Sequence, residues 1–577
     1  MDKKEIAAIF EEVADLLELK SENPFRVRAY RNAARSLLNS DQDLKKMARE
    51  GGLEELEGIG KDLAEKITQL VETGRLPFYE KLKRSIPSSM LKLRQVQGLG
   101  PKKVQALHKK LKIKSLAQLK KAGKEGKIAK LKGFGVKTEQ NILQALEHHE
   151  AYQKRYLWWD AMGLARPLLE GLKKLKGVKR VEIAGSLRRK LETVGDLDIL
   201  VAALNPKLVV KWFTSCKEVS RILAQGETKV SVRLKEGIQV DLRIVSESQF
   251  AFALCYFTGS KEHNIKIRQH SLKKGWSLSE YGFEPIGKKS IAAFKKKRIE
   301  EEDIYKALSL PYIEPELREN LGEIEAAEKG KLPCLVEEED IKGTFHNHTT
   351  ASDGKSNLKE MVRAAAKMGW EYFGISDHSK SSVQANGLSE ERLFNQIEEI
   401  RKINRSGQFE PYVFAGTECD ILPDGTLDFS DSLLNQLDFV IASIHSALTQ
   451  DEKTMTKRII RAVEHPSVTM LGHLTGRLLL KREPYKVNVQ KVIDACIANH
   501  KIIELNGNPQ RLDMDWRLWR AAAERGLLCC INIDAHAADQ LQFIKAGVNI
   551  ARKGWLEKES IINTLSLKKI KNLLSFA

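Results

Sequence analysis

Residues 185–200, GSLRRKLETVGDLDIL, decide how the rest of the chain is read. Alternation that runs on into Val201 predicts a strand over 194–201, with Asp196 and Asp198 projecting from one face. Two carboxylates sharing a site repel each other unless cations neutralise them. Hard oxygen ligands suit Mg²⁺, which keeps positions for water and substrate phosphates. Gly185 and Ser186 follow the apolar run Val181 to Ala184. A small-residue turn there offers backbone N–H groups and a hydroxyl to phosphate oxygens, and Arg188 or Arg189 adds a planar fork. A solvated turn is the bland alternative for an Asp-x-Asp pair. Against it stands a third acid on a second strand-like run, QVDLRIV at 239–245, which puts Asp241 and Arg243 on one face. The combination predicts a nucleoside-triphosphate site, and no Walker Gly-Lys-Ser/Thr loop competes for it.

The order GS-x-RR, GD-x-D, VDLR and then Tyr256-Phe-Thr-Gly259 with Asn264 and Arg268 resembles the family X DNA polymerases. The resemblance implies a nucleotidyltransferase palm with a mixed sheet, in which the catalytic carboxylates Asp196, Asp198 and Asp241 hold two Mg²⁺ ions. It implies Gly185, Ser186, Arg189 and Gly195 as the seat of the incoming triphosphate. Tyr256, Phe257 and Gly259 would then lie against the nucleotide sugar, with Asn264 and Arg268 reaching the base edge and template strand. An ordinary helix start is the other reading of Tyr-Phe-Thr-Gly. Lys190 stands where some relatives carry glycine.

At 577 residues with 42% hydrophobic, the chain should form roughly three or more domains with ordinary cores. A formal charge of +19 predicts a polyanionic partner, and nucleic acid is favoured over a membrane surface because no lipid-anchor pattern occurs. Residues 1–20 read as a charged amphipathic helix rather than a signal peptide, and no run of about eighteen apolar residues occurs. A soluble, cytoplasmic monomer without a membrane partner is expected. Seven scattered cysteines without C-x-x-C spacing predict reduced thiols, not a disulfide framework or a zinc ribbon.

Toward the N-terminus, Leu56-Glu-Gly-Ile-Gly-Lys61 finds related units at 96–101 and 131–136, a repeat of about 35 to 40 residues. These resemble helix-hairpin-helix elements. Their glycines, Gly58, Gly60, Gly98, Gly100, Gly133 and Gly135, let the backbone approach a phosphate, and the helix that follows turns its positive end to it. Such contacts hold DNA without reading its sequence. A Rossmann fingerprint is excluded, since no strand precedes the glycines and a third glycine is missing. Lys66 stands where family X members with deoxyribose-phosphate lyase activity carry their Schiff-base lysine. That chemistry needs a lowered lysine pKa, for which Lys61 is a source of like charge. Asp62 occupies a position where relatives often have another lysine, and phosphate binding is the other reading of Lys66.

Beyond Ile341, apolar strand-like runs end one after another in ligand-type residues: His346, His348, then Asp353 in a turn, His378, Glu418, His445, His473, Asp534 and His536. Helical patterns at 358–368 and 389–403 alternate with them. A β/α barrel follows, with its active residues at the C-terminal strand ends. A single histidine is more often structural, but nine such residues at one end of successive strands argue for metal. The order HxH…D…DH…E…H…H…DxH resembles the PHP (polymerase and histidinol phosphatase) phosphoesterases, which implies a distorted TIM-like barrel. Mixed imidazole and carboxylate ligands favour Mn²⁺, Zn²⁺ or Fe²⁺ over Mg²⁺, with up to three ions. Bridging metals generate hydroxide and clamp a phosphate ester. Arg477 and Arg511 are candidate phosphate binders, a surface ion pair being the alternative for each.

The expected architecture is therefore multidomain, α+β and α/β. It comprises a helical lyase-like DNA-binding domain (1–87), a second helix-hairpin-helix domain (88–150), the palm (151–245), a nucleotide-selecting subdomain (246–310), an acidic linker (311–340) dividing two catalytic modules, and a PHP domain (341–577). The expected function is template-directed gap filling on gapped or primed DNA with deoxynucleoside triphosphates, joined to a PHP 3′-5′ exonuclease or phosphoesterase. An untemplated nucleotidyltransferase and a repair scaffold with phosphatase activity only are the alternatives. The hairpin glycines and Tyr-Phe-Thr-Gly favour template dependence, and the intact acids favour a working site.

Overall fold

In the computed structural model, the strand predicted around Asp196 lies inside a five-stranded mixed sheet. The structure describes residues 3–20, 22–39, 44–56, 58–85, 93, 99, 101–131, 133–136, 138–140, 142–143, 146, 155–286 and 298–576. The chain divides into two units, 1–154 and 155–577.

The regular elements among the first unit's described residues are all helices, beginning with Lys3–Leu19 and Pro24–Asn39. Ile6, Phe10, Val13 and Leu17 recur at helical spacing and share one core with Tyr30, Leu37, Ile67 and Leu107. Asn23 accepts the Phe25 N–H at 2.9 Å and so starts the second helix. Gly98 and Gly100 lie outside the described residues.

In the second unit, β1 (Tyr156–Leu157) pairs antiparallel with β3 (Thr193–Val194). The main sheet contains β2 (Val178–Ile183), β4 (Asp196–Ala203), β5 (Val219–Gln225), β6 (Lys229–Leu234) and β7 (Gln239–Val245), in the order β2-β4-β7-β6-β5. Only β4 and β7 run parallel to each other within it. Their register sets Asp198 beside Asp241. Along β7 the residues Val240, Leu242 and Ile244 are buried, which turns Asp241 and Arg243 to the other face. Helices Phe250–Thr258 and Lys261–Lys273 follow, then the hairpin of β8 (Trp276–Leu278) and β9 (Phe283–Pro285).

Residues 311–340 are not a linker. Ile313, Leu317, Ile324 and Leu335 belong to the same buried cluster as Phe252, Trp276 and Ile304. Acids here and in the preceding helix are paired inside the fold. Glu301 accepts from Arg318 at 2.7 Å and from Arg188, and Glu323 meets His263 at 2.7 Å. Charge density misled because the charges are compensated internally rather than by water.

Seven parallel strands follow in sequence order: β10 (Gly343–Thr344), β11 (Tyr372–Ile375), β12 (Tyr412–Asp420), β13 (Phe439–Ser443), β14 (Met470–Leu471), β15 (Ile502–Asn506) and β16 (Cys529–Asn532). They are buried on both faces and mostly apolar, as parallel strands under helices must be, with their polar residues toward the C-terminal ends. The Thr344 hydroxyl donates to the Ile531 carbonyl at 3.3 Å, and the His348 N–H to the Ala535 carbonyl at 2.8 Å. These bonds nearly close the barrel. Phe345, Phe414 and Phe439 pack with Ile562 and Ile570 in a separate apolar cluster. All seven cysteines are free. Among the described residues no helix is long and apolar enough to cross a membrane.

Candidate active sites

Pairing of β4 with β7 brings Asp196, Asp198 and Asp241 together. Burial pushes Asp198 up to about 7, and the charges of Asp196 and Asp241 add to it. Asp196 is raised for the same reasons, burial first and Asp241 second. Burial acts upward on Asp241 as well, but Lys229, Gln239 and Ser231 outweigh it and hold Asp241 below the usual range. Lys229 Nζ lies 2.8 Å from Asp241 Oδ2, and Gln239 Nε2 donates to Oδ1 at 2.9 Å. Three mutually repelling carboxylates fit a divalent cation.

The turn at Gly185 closes directly onto this group. Gly185 has φ +61°, and a Cβ there would stand 2.2 Å from Asp198 Oδ2. No other residue lets the turn approach so closely. Arg189 donates from Nη1 to the Thr258 carbonyl at 2.5 Å and from Nε to Glu319 at 3.0 Å, which ties the turn to the Thr258-Gly259 peptide. Half-buried Ser186 stays within the turn, and Gly195 faces Arg155. Tyr256, Asn264 and Arg268 line one pocket with Phe252, and Asn264 Nδ2 donates to the Tyr256 carbonyl at 2.6 Å. The Tyr256 and Phe257 rings meet edge to face at 5.1 Å, with the Arg243 guanidinium 4.1 Å from the Phe257 centroid.

Sequence patterns did not single out Lys229 or Arg155. Lys229 reaches Asp241 from β6, and only the strand pairing reveals that.

The barrel gathers all nine expected ligands in one cleft region. Three groups form: His348, Asp353, His378 and His536; His346, His348 and Asp534; and His378, Glu418 and His445. His473 joins through Glu418, 2.9 Å from Nε2. Buried His346 Nε2, both nitrogens of His348, His378 Nδ1 and Glu418 Oε2 make no well-aligned hydrogen bond, although Glu418 Oε2 lies 2.9 Å from His378 Nδ1 and 3.3 Å from His346 Nε2. Such orphaned atoms are costly unless a cation takes them, so the donor set fits metal. Burial lowers His348 to about 4, which leaves the neutral, ligating imidazole.

Glu504 and Asp420 complete the cleft and were not anticipated. Glu504 holds His346 Nδ1 at 2.6 Å and so aims Nε2 at Glu418, while Asp420 holds His445 Nδ1 at 2.5 Å. A signal existed for each. Glu504 is an acid inside an apolar strand, and Asp420 lies two residues from Glu418 on the same face of β12.

The two candidate phosphate binders part company. Arg511 lines the cleft, contacts Asp534 at 3.0 Å and leaves a buried Nη1 unpartnered. Arg477 does not face the cleft's ligands. It donates to the carbonyls of Arg511 (3.0 Å) and Leu512, to Asp515 (3.3 Å) and to Glu192 (2.5 Å), which fills its fork with internal partners.

In the first unit, Gly60 precedes the helix Lys61–Thr73 that carries Lys66. The partner of Lys66 is Asp62, through both its carboxylate and its carbonyl, not Lys61. The charge paired with Lys66 in this structure is thus an acid. Gly58, Gly133 and Gly135 have φ of +78°, +90° and +71°, and open space surrounds the place where a Cβ would point at Gly133 and Gly135.

Family models match along the chain: a helix-hairpin-helix domain over 1–76, a SAM-like helix-hairpin-helix tandem over 90–147, a DNA polymerase beta thumb over 253–319 and a PHP domain over 344–508. The DNA polymerase/3′-5′ exonuclease PolX of Bacillus subtilis (strain 168) is 38% identical over 577 residues, covering 100% of this chain and 99% of its own length. The chain belongs to the PolX family. Probable phosphatases of Thermoanaerobacter sp. (strain X514) and Caldicellulosiruptor saccharolyticus are 25% and 27% identical over 240 residues, 40% of this chain and 92% and 93% of theirs. In this PolX chain the thumb match starts within the helix that carries Tyr256. The PHP match stops before Asp534 and His536, yet both close the same ligand groups.

Proposed function

We propose that the chain is a template-directed DNA polymerase that fills short gaps, with the barrel cleft acting as a metal-dependent 3′-5′ exonuclease. The observation that carries the first part is the β4–β7 register, which joins Asp198 to Asp241 beneath the Gly185 turn. Asp196, Asp198 and Asp241 would hold two Mg²⁺ ions, which when bound activate a primer 3′-hydroxyl and offset the charge of the leaving pyrophosphate. Gly185, Ser186, Arg189 and Gly195 orient the triphosphate. Tyr256, Phe257 and Gly259 bound the sugar and favour deoxynucleotides, while Asn264 and Arg268 reach toward base and template. The glycines of the helix-hairpin-helix motifs, Gly58, Gly60, Gly98, Gly100, Gly133 and Gly135, let the DNA backbone approach.

In the barrel the nine ligands would take up to three ions of Mn²⁺, Zn²⁺ or Fe²⁺, the choice favoured by mixed imidazole and carboxylate donors. Arg511 is the phosphate-binding residue beside them. Lys66 serves as a phosphate contact. Boundaries near 87, 150, 245 and 340 separate the functional regions, with residues up to about 340 belonging to the thumb side.

Primer extension on gapped duplex, with each deoxynucleotide offered singly, tests the reading. Only the complementary nucleotide should be added, and with Mn²⁺ and no nucleotide the primer should shorten from its 3′ end. Addition indifferent to the template base would point instead to an untemplated nucleotidyltransferase.

A further inference from the structure

The phosphate turn of the palm is held from outside the palm. Lys553, on the last turn of the barrel helix Ile544–Lys553, is fully buried. Its ammonium donates to the Arg189 carbonyl at 3.0 Å, to the Glu316 carbonyl at 3.2 Å and to Glu319 Oε1 at 2.6 Å. That same Glu319 oxygen accepts from Arg189 Nε at 3.0 Å. One carboxylate oxygen therefore joins a barrel lysine to the arginine whose backbone the lysine also grips. Burial pushes the ammonium down to about 8, and Glu319, the helix C-terminus and Trp516, 4.5 Å beneath it, act to hold the charge.

A second anchor lies three residues on. Arg477 of the barrel reaches Glu192, whose carbonyl accepts the Trp158 N–H at 2.9 Å, and Trp158 Nε1 donates to the Leu187 carbonyl at 2.9 Å. The turn is thus fixed at Arg189 by Lys553 and at Glu192 by Arg477. Neither cation belongs to the palm, and neither is among the barrel ligands.

We infer that Lys553 is a positioning residue for nucleotide addition: the barrel holds the palm's phosphate turn, and Arg189 with it, in the geometry that receives the triphosphate. The inference rests on Arg189 as a triphosphate contact, the reading proposed above. The barrel then serves the polymerase as a scaffold, independently of the metal chemistry in its own cleft.

The test uses full-length protein on one-nucleotide-gapped DNA, comparing wild type with Lys553→Met, Lys553→Gln, Arg189→Ala and Arg189→Ala combined with Lys553→Met. In Lys553→Met the KM for the nucleotide should rise about tenfold while kcat changes less than about threefold, the signature of lost ground-state positioning. Exonuclease activity should persist, which reports an intact barrel. Lys553→Gln, which keeps a donor, should shift KM in the same direction by less, and it carries the test if the methionine variant loses the nuclease through misfolding. The double variant should be no worse than Arg189→Ala alone, because Lys553 acts on the nucleotide through the Arg189 side chain that it positions. An unmoved KM in a Lys553 variant with intact exonuclease, beside a raised KM in Arg189→Ala, overturns the inference alone. An unmoved KM in Arg189→Ala removes the reading of Arg189 and the inference with it.

Discussion

At the scale of single residues, the polymerase site turns on how closely the Gly185 turn meets Asp198. Gly185→Ala adds a methyl 2.2 Å from Asp198 Oδ2 at φ +61°, so the carboxylate or the turn must move. Extension should fall by at least about 10²-fold, approaching the loss of about 10³-fold expected for Asp198→Asn, with the exonuclease intact. Single-turnover extension beside a 3′-degradation assay checks both. In the barrel, Arg511→Ala should weaken the nuclease, because Arg511 alone of the two candidate arginines lines the cleft. The carboxylates and histidine ligands were legible from local periodicity, since two-residue spacing fixes a shared face on any strand. Lys229 was not, because its contact with Asp241 depends on which strands pair, and a single strand's sequence says nothing of its neighbour. Lys66 shows the other limit: it pairs with Asp62 one helical turn away, a contact that the glycine motif around it does not announce.

At the scale of elements, acid should loosen the junction between palm and thumb. Burial pushes the Glu301 carboxyl up, but Arg318 and Arg188 outweigh it and hold it at about 2, below its ordinary 4.5. A folded-state pKa below the unfolded one contributes stability that is fully present above 4.5 and is lost as pH falls toward 2. The contribution is on the order of 3 kcal/mol. Urea midpoints measured across that window should drop in wild type and change less in Glu301→Gln. The pairing also explains why 311–340 looked like a linker: acid-rich composition marks solvent exposure only where no arginine is buried beside it. In the first unit, Gly133→Val should weaken gapped-DNA binding about tenfold while leaving kcat at saturating DNA unchanged, if the turn contacts backbone phosphate as proposed above. Fluorescence anisotropy at two salt concentrations measures the loss.

At the scale of the whole molecule, sequence divided the chain into two catalytic modules, whereas the palm, thumb and barrel form one packed unit, 155–577. Ligand spacing makes the barrel's chemistry visible, but the bonds that dock it, Arg477 to Glu192 and Lys553 to Glu319, span 285 and 234 residues of chain and leave no local pattern. Shared packing does not entail shared chemistry. The two sites use different donors, three carboxylates in the sheet and a mixed imidazole set in the barrel, so each should lose its own metal without the other. His346→Ala removes a nitrogen 3.3 Å from Glu418 and takes from Glu504 its imidazole partner, leaving it the His473 N–H and the Asn506 and Asn532 amides. It should abolish 3′-5′ degradation and leave extension within about threefold of wild type, since no transition-state contact of nucleotidyl transfer is touched. The measurement follows one labelled primer on gapped DNA with and without nucleotides. Retained extension in His346→Ala beside a raised nucleotide KM in Lys553→Met would separate the barrel's two contributions, one through its ligands and one through its frame. If His346→Ala abolishes extension while DNA binding persists, the two sites are not chemically independent.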